Sequence, residues 1–131
     1  MTRPAVGRIR EHATFRALAR PAGRATRGPV RVSFVPPGTT RPAPFPQVSY
    51  AISRQHGSAV VRNRLRRRLR SAVREIAAVT PPGNYLLRPT PQASDLGFSE
   101  LRHLVGGAVM AAAAAGRPAD PIGGPVRDDR R

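Results

Sequence analysis

The chain has 131 residues, enough for one domain with a modest core, and it carries 23 basic residues against seven acids, a formal charge of +16 with a pI near 12.0. Such a balance points to nucleic acid first and to an anionic membrane surface second. The absence of cysteine excludes a disulfide framework, a thiolate metal site and a cysteine nucleophile, and aromatics at 5% are too few for an extended base-stacking platform.

No apolar run approaches the roughly 20 residues that span a bilayer. The first residues include arginines with no apolar stretch behind them, so no secretory signal is expected. Residues 1–7 read as a frayed terminus. From Arg8 to Arg20 the spacing of Ile9, His12, Ala13, Phe15, Arg16, Ala19 and Arg20 predicts a short helix with a basic side, ended by Pro21. Residues 23–29 carry turn residues with Arg24 and Arg27 and show no strand pattern. Val30 to Val35 alternates with period two, as a half-buried strand does. Val30, Val32 and Phe34 share one face; Arg31 and Ser33 take the other. Residues 36–46, rich in proline, read as a long loop. Gln47 to Ser53 forms a second alternating strand, with Val48, Tyr50 and Ile52 on one side and Ser49, Ala51 and Ser53 on the other. That small, polar side is either a solvated sheet face or a surface that a sugar-phosphate backbone can approach.

Ser58 is placed to cap a helix from Ala59 to about Ala78, stopped by Pro81 and Pro82. Val61, Leu65, Leu69, Ala72 and Ile76 fall on one face. Asn63, Arg66, Arg67, Arg70 and Arg74 fall on the opposite face, with Arg62 and Arg68 at the margins, where long stems can cover apolar surface. Six of the nine residues from Arg62 to Arg70 are arginine, and Glu75 is the only acid up to Ile76. An ordinary solvated face mixes signs; this one places like charges at i,i+3 and i,i+4. Those pairs cost about 1 to 3 kcal/mol together at low salt. Arginine in the first turns also opposes the helix dipole. A polyanion relieves both penalties. No lysine occurs in the chain. A guanidinium fork binds phosphate bidentately and stacks on bases. GC-rich coding also favours arginine, so the clustering on one face carries the argument rather than the composition.

Gly83 and Asn84 precede a short apolar strand, Tyr85 to Arg88, closed by Pro89. Thr90 to Leu96 reads as a loop. Phe98, Leu101, Leu104, Val105, Ala108, Val109 and Ala112 trace the apolar face of a helix reaching about Ala115. Gly106 and Gly107 each cost about 1 kcal/mol relative to Ala there, so close packing or a bend is expected at that point. Residues 116–131 read as a disordered tail.

The stretch Gly57-Ser58-Ala59-Val60-Val61-Arg62-Asn63-Arg64-Leu65-Arg66-Arg67-Arg68-Leu69-Arg70 resembles the signature of the bacterial ribonuclease P protein component, with its Arg-Asn-Arg core at Arg62, Asn63 and Arg64. The resemblance extends less tightly from Arg8 to Ala115, which sets a single RNA-binding domain at 8–115. It implies an α+β fold, a small α/β sandwich in the order αβββαβα, ribosomal protein S5 domain 2-like. It adds a short edge strand near residues 23–29 and a left-handed βαβ crossover, against the usual right-handed preference. It implies a cytoplasmic subunit of ribonuclease P, an endoribonuclease whose RNA subunit removes the 5′ leader of precursor tRNA using Mg2+ held mainly by that RNA. One protein per ribonuclease P RNA and no membrane partner are expected. Arg62, Asn63, Arg64, Arg66, Arg67, Arg68 and Arg70 are then the contacts to the catalytic RNA, and Phe15, Arg16 and Arg31 lesser contacts on the leader side. The family's second aromatic, four residues after the first, is Ala19 here. From the residues alone Phe15 is equally a core anchor. His56 replaces another residue of the family and reads as a surface or RNA-contacting histidine.

Protein catalysis finds little support. His12, His56 and His103 are far apart in sequence, and the seven acids form no carboxylate pattern for two-metal phosphoryl chemistry. HExxH, CxxC, P-loop and GxSxG motifs are missing. No catalytic residue and no protein-held metal are expected. The competing readings are an rRNA-binding structural protein without a cleavage role and an autonomous nuclease that cuts RNA with no RNA subunit.

Overall fold

The computed structural model describes residues 6–38 and 43–117. In chain order the elements are β1 (Gly7–Arg8), α1 (His12–Leu18), β2 (Gly23–Arg27), β3 (Val30–Val35), β4 (Pro46–Tyr50), α2 (Ala59–Ile76), β5 (Gly83–Leu87) and α3 (Phe98–Gly116). The strands form one mixed sheet in the order β1-β4-β5-β3-β2. β4 and β5 are adjacent and parallel, joined through α2, while β3 is antiparallel to both β5 and β2. The α+β class follows, with one strand more than expected from the order αβββαβα.

That extra strand corrects the reading of the N-terminal region. Gly7 and Arg8 pair in parallel with Gln47 and Val48, and Ile9 is buried just after them. The chain is therefore extended where a helix was expected, and α1 starts only at His12. Two residues are too few to show a period. The helix also stops at Leu18, because a residue before proline, here Arg20, is pushed out of the α region. The expected tails outside residues 6–117 lie beyond the described residues, as do 39–42 of the proline-rich loop.

The edge strand β2 is present where sequence pattern was silent. Its residues alternate small and polar, and a two-residue turn joins Arg27 to Val30, with Gly28 at φ 55°. At its start Gly23 touches the last turn of α3. A Cβ on Gly23 would collide with the Ala112 carbonyl, and one on Gly116 would lie 2.8 Å from Gly23 N. Gly116 thus belongs to the packed helix and not to a tail. Gly106 and Gly107 do not provide the close approach expected of them: a Cβ on either would meet its nearest neighbour at an ordinary 3.7 Å.

Val32, Phe34, Val48, Tyr85 and Leu87 form one core with Leu65, Leu69, Ala72 and Val73 of α2 and with Leu101, Val105, Ala108, Val109 and Ala112 of α3. α3 lies across β2 and β3 and against α2, while α1 packs on β3 and β5. Ser33 points away from Val32 and Phe34 and is nonetheless buried, accepting a hydrogen bond from Arg88 Nη2 at 3.3 Å. β4 is shorter than expected, ending at Tyr50, although Ala51 N still donates to Leu87 O at 2.9 Å. The loop at 90–96 contains a 3₁₀ turn, Pro91–Asp95.

Candidate nucleic-acid interface

α2 begins as its sequence dictates, with Ser58 Oγ accepting from Val61 N at 3.3 Å. Leu65, Leu69 and Ala72 are buried, joined by Val73. Val61, expected on the buried face, is 38% exposed, and Ile76 is half-buried. The reason is position: the first turn lies over the 3₁₀ turn Arg54–His56 instead of the core. The helix then tightens into another 3₁₀ turn, Ala77–Val79, where Thr80 Oγ1 donates to Ile76 O at 2.7 Å.

Away from the core, Asn63, Arg64, Arg67, Arg70 and Arg74 are exposed, whereas Arg62, Arg66 and Arg68 are half-buried. Arg66 Nη1 donates to Asn63 Oδ1 at 3.0 Å, holding two site residues together. Arg68 turns inward and donates from Nη2 to the Leu96 carbonyl, so its guanidinium ties α2 to the segment before α3. Arg62 Nε is buried without a hydrogen-bond partner. Among the described residues the one ion pair is Arg102 to Glu75, at 3.1 Å. None of the arginines from 62 to 70 meets a carboxylate among those residues.

One side of this arginine face closes a groove of about 720 Å³. Arg66, Arg70 and Arg74 form one wall, Phe15 of α1 stands on another, and Ser49 within β4 and Ala51 just after it lie between them. The edge of β4 is open here because β1 pairs only as far as Val48. Phe15 is 41% exposed and lines the groove, so it does not anchor the core. The small face of β4 lines the groove as well. Burial pushes the Tyr50 phenol up to about 12, against the lowering influence of Arg70 and Arg74, so it enters the groove lining as a neutral hydroxyl.

The other two leader-side residues are not brought there. Arg16 is exposed on α1 outside the groove lining. Arg31 Nε donates to the Arg88 carbonyl at 3.0 Å, further across the sheet. Arg74 was missed as a site residue, although its place four residues after Arg70 on the basic face was the available signal. His56 is not a free surface histidine. Its ring nitrogens lie 2.7 Å from Pro89 O and 3.2 Å from Ser53 O, tying the chain before α2 to the chain after β5.

Among the described residues no group of three or more His, Cys, Asp or Glu could hold a metal ion. No described helix is long and apolar enough to cross a membrane.

A family model described as Ribonuclease P matches residues 4–112. The chain is 38% identical over 99 residues to the ribonuclease P protein component of Thermobifida fusca, covering 72% of this chain and 67% of that one. It is 37% identical over 111 residues to the component of Micrococcus luteus, covering 78% and 84%. Among solved structures, the RNase P protein from Thermotoga maritima superposes with a TM-score of 0.66 at 21% identity, over 76% of this chain and 92% of that one. A Staphylococcus aureus RNase P protein mutant with defective mRNA degradation activity gives 0.69 at 14% identity, over 79% and 85%. At these identities the two structures speak for the fold alone.

Proposed function

The chain belongs to the ribonuclease P protein family, and from that premise we propose how its surface is shared between two RNAs. The protein is the subunit of ribonuclease P that joins the catalytic RNA and assists removal of the 5′ leader from precursor tRNA; the RNA carries the chemistry. The outward side of α2, with Arg62, Asn63, Arg64 and Arg67, docks on the catalytic RNA. Arg66 and Arg70 belong to the same contact and, with Arg74, also face the groove, which takes the single-stranded leader with Phe15 stacking on a base. Arg68 acts by fixing α2 through Leu96. Arg16 and Arg31 contribute charge near the leader without lining its path.

The observation that carries this reading is the row of guanidinium groups on α2, from Arg62 to Arg70 without carboxylate partners among the described residues, beside an open groove with an exposed aromatic ring. Each neutralised phosphate releases counterions, and the charge screens repulsion between the two RNAs. The chemistry that magnesium ions, held mainly by the RNA, would supply is activation of the attacking water and stabilisation of the leaving oxygen. The part of this chain is to bind, screen and orient. One protein per RNA, a cytoplasmic setting, no membrane partner and a left-handed sense for the β4-α2-β5 crossover complete the proposal. The adjacent parallel pair with α2 between its strands is compatible with that crossover.

Reconstitution tests it. Added to ribonuclease P RNA from the same organism, the protein should accelerate leader removal at low magnesium, and it should cut nothing alone. Binding to rRNA with no stimulation of leader removal would favour the structural-protein reading instead.

A further inference from the structure

The half-buried His56 ends the 3₁₀ turn Arg54–His56, which leads from β4 into α2. A carbonyl oxygen stands at each of its ring nitrogens: Pro89 O at 2.7 Å from Nε2 and Ser53 O at 3.2 Å from Nδ1. Ser53 O also accepts from His56 N at 3.0 Å, so the turn itself fixes its place. Pro89 is fully buried, and its neighbours are bonded to the start of β3, Arg88 N to Arg31 O at 2.8 Å and Thr90 N to Pro29 O at 2.8 Å. Both oxygens are therefore held on well-anchored chain.

A carbonyl oxygen only accepts. A neutral imidazole has one N–H, so it donates to one of these oxygens and turns a lone pair toward the other. The imidazolium has two N–H groups and satisfies both, and a charged donor makes the stronger bond. Geometry thus favours the protonated ring. The charges on the surrounding elements oppose it in the free protein: Arg54 on the same turn, Arg62 on α2, and Arg88 and Arg31 beside Pro89 outnumber Asp95, on the 3₁₀ turn packed against it. Phosphates brought to α2 reverse that balance, because they offset the guanidinium charge and attract an imidazolium.

We propose that His56 is a positioning residue whose ring takes up a proton as RNA docks on α2, so that the entry to the helix is bound to the chain after β5 more firmly in the complex than in the free protein. The inference rests on the docking of α2 proposed above and adds a pH dependence to it. By linkage, RNA then binds more tightly on the acid side of the imidazole's titration, and the advantage is lost as pH rises through it. Histidine is the side chain suited to such a change between about pH 5 and 8.

The test is filter binding of the full-length protein to ribonuclease P RNA, at fixed salt and magnesium, between about pH 6 and pH 8. Wild type should bind about three- to tenfold more tightly at the acid end. His56→Gln offers one carbonyl a neutral N–H and gains no charge, so it should lose that advantage, while His12→Gln, at the start of α1, should keep it. A residue needed only for folding would lower the melt of His56→Gln and leave its pH profile as in wild type. That result would overturn the proposal while the docking of α2 stands; a wild-type protein that does not bind the RNA would sink both. Calorimetry of the wild-type complex in buffers of different ionisation enthalpy needs no variant. Binding at about pH 7 should take up protons, and an absence of uptake would also overturn the proposal.

Discussion

α2 and α3 have nearly the same length, 18 and 19 residues, and opposite composition. α3 buries seven side chains or backbone positions, and its Ala-rich end packs closely enough for Gly116 to touch β2. α2 buries four and turns arginines to solvent on the rest of its surface. The contrast teaches where stability resides. α3 is held by area, at roughly 25 cal/mol per Å² of apolar surface removed from water. α2 repels itself and is held by a narrow stripe, a serine cap and the Arg68 tether. Its surface is shaped for a partner, at some cost to the free protein.

Changes at four places would break or sharpen that contrast. The largest change is expected in binding. Removing Arg66, Arg67 and Arg70 together, each to Ala, should lower the log–log salt slope for RNA binding by about 2 to 3, at 0.7 to 0.9 per lost phosphate contact. The same variant should melt no lower than wild type, since like-charge pairs vanish with it. A slope equal to wild type in filter binding would remove α2 from the interface. On stability, Leu65→Ala should cost about 2 to 5 kcal/mol in urea unfolding, because the side chain is fully buried; a near-neutral result would mean that the narrow stripe does not hold α2. Gly116→Ala should cost about 1 to 3 kcal/mol, since its Cβ would press on Phe34 and on the backbone of Gly23. An unchanged melt would show that the end of α3 can move away from β2. Ser58→Ala should cost about 1 kcal/mol by thermal denaturation, as the lost cap leaves Val61 N without its partner, and Ser58→Asp should restore it.

Much of this was legible in residue order, for reasons visible in the elements themselves. β3, α2 and α3 are long enough to display their period, and the ends of α2 carry Ser58 and Pro81. β1 has two residues and β2 has no large apolar side chain, so neither offers a pattern. β1 exists because Gln47 and Val48 present an open edge, a fact of tertiary structure. The basic face was legible because α-helical geometry converts spacing directly into direction. The groove was not, since it forms between residues far apart in sequence: Phe15, Ser49 and Arg74. Sequence places Arg68 at the margin of α2 and His56 at the surface because it shows the polar head and not the carbonyl it finds, at Leu96 for one and at Pro89 and Ser53 for the other.

The imidazole of His56, set between two main-chain carbonyls, has a consequence for how the ribozyme is met. It staples the root of the arginine comb to the stretch that follows the central strand, while Arg68 fastens the middle. A comb fixed at root and middle keeps its teeth in register before any encounter. Little backbone ordering is then left to be lost on docking, and that saved entropy appears as affinity.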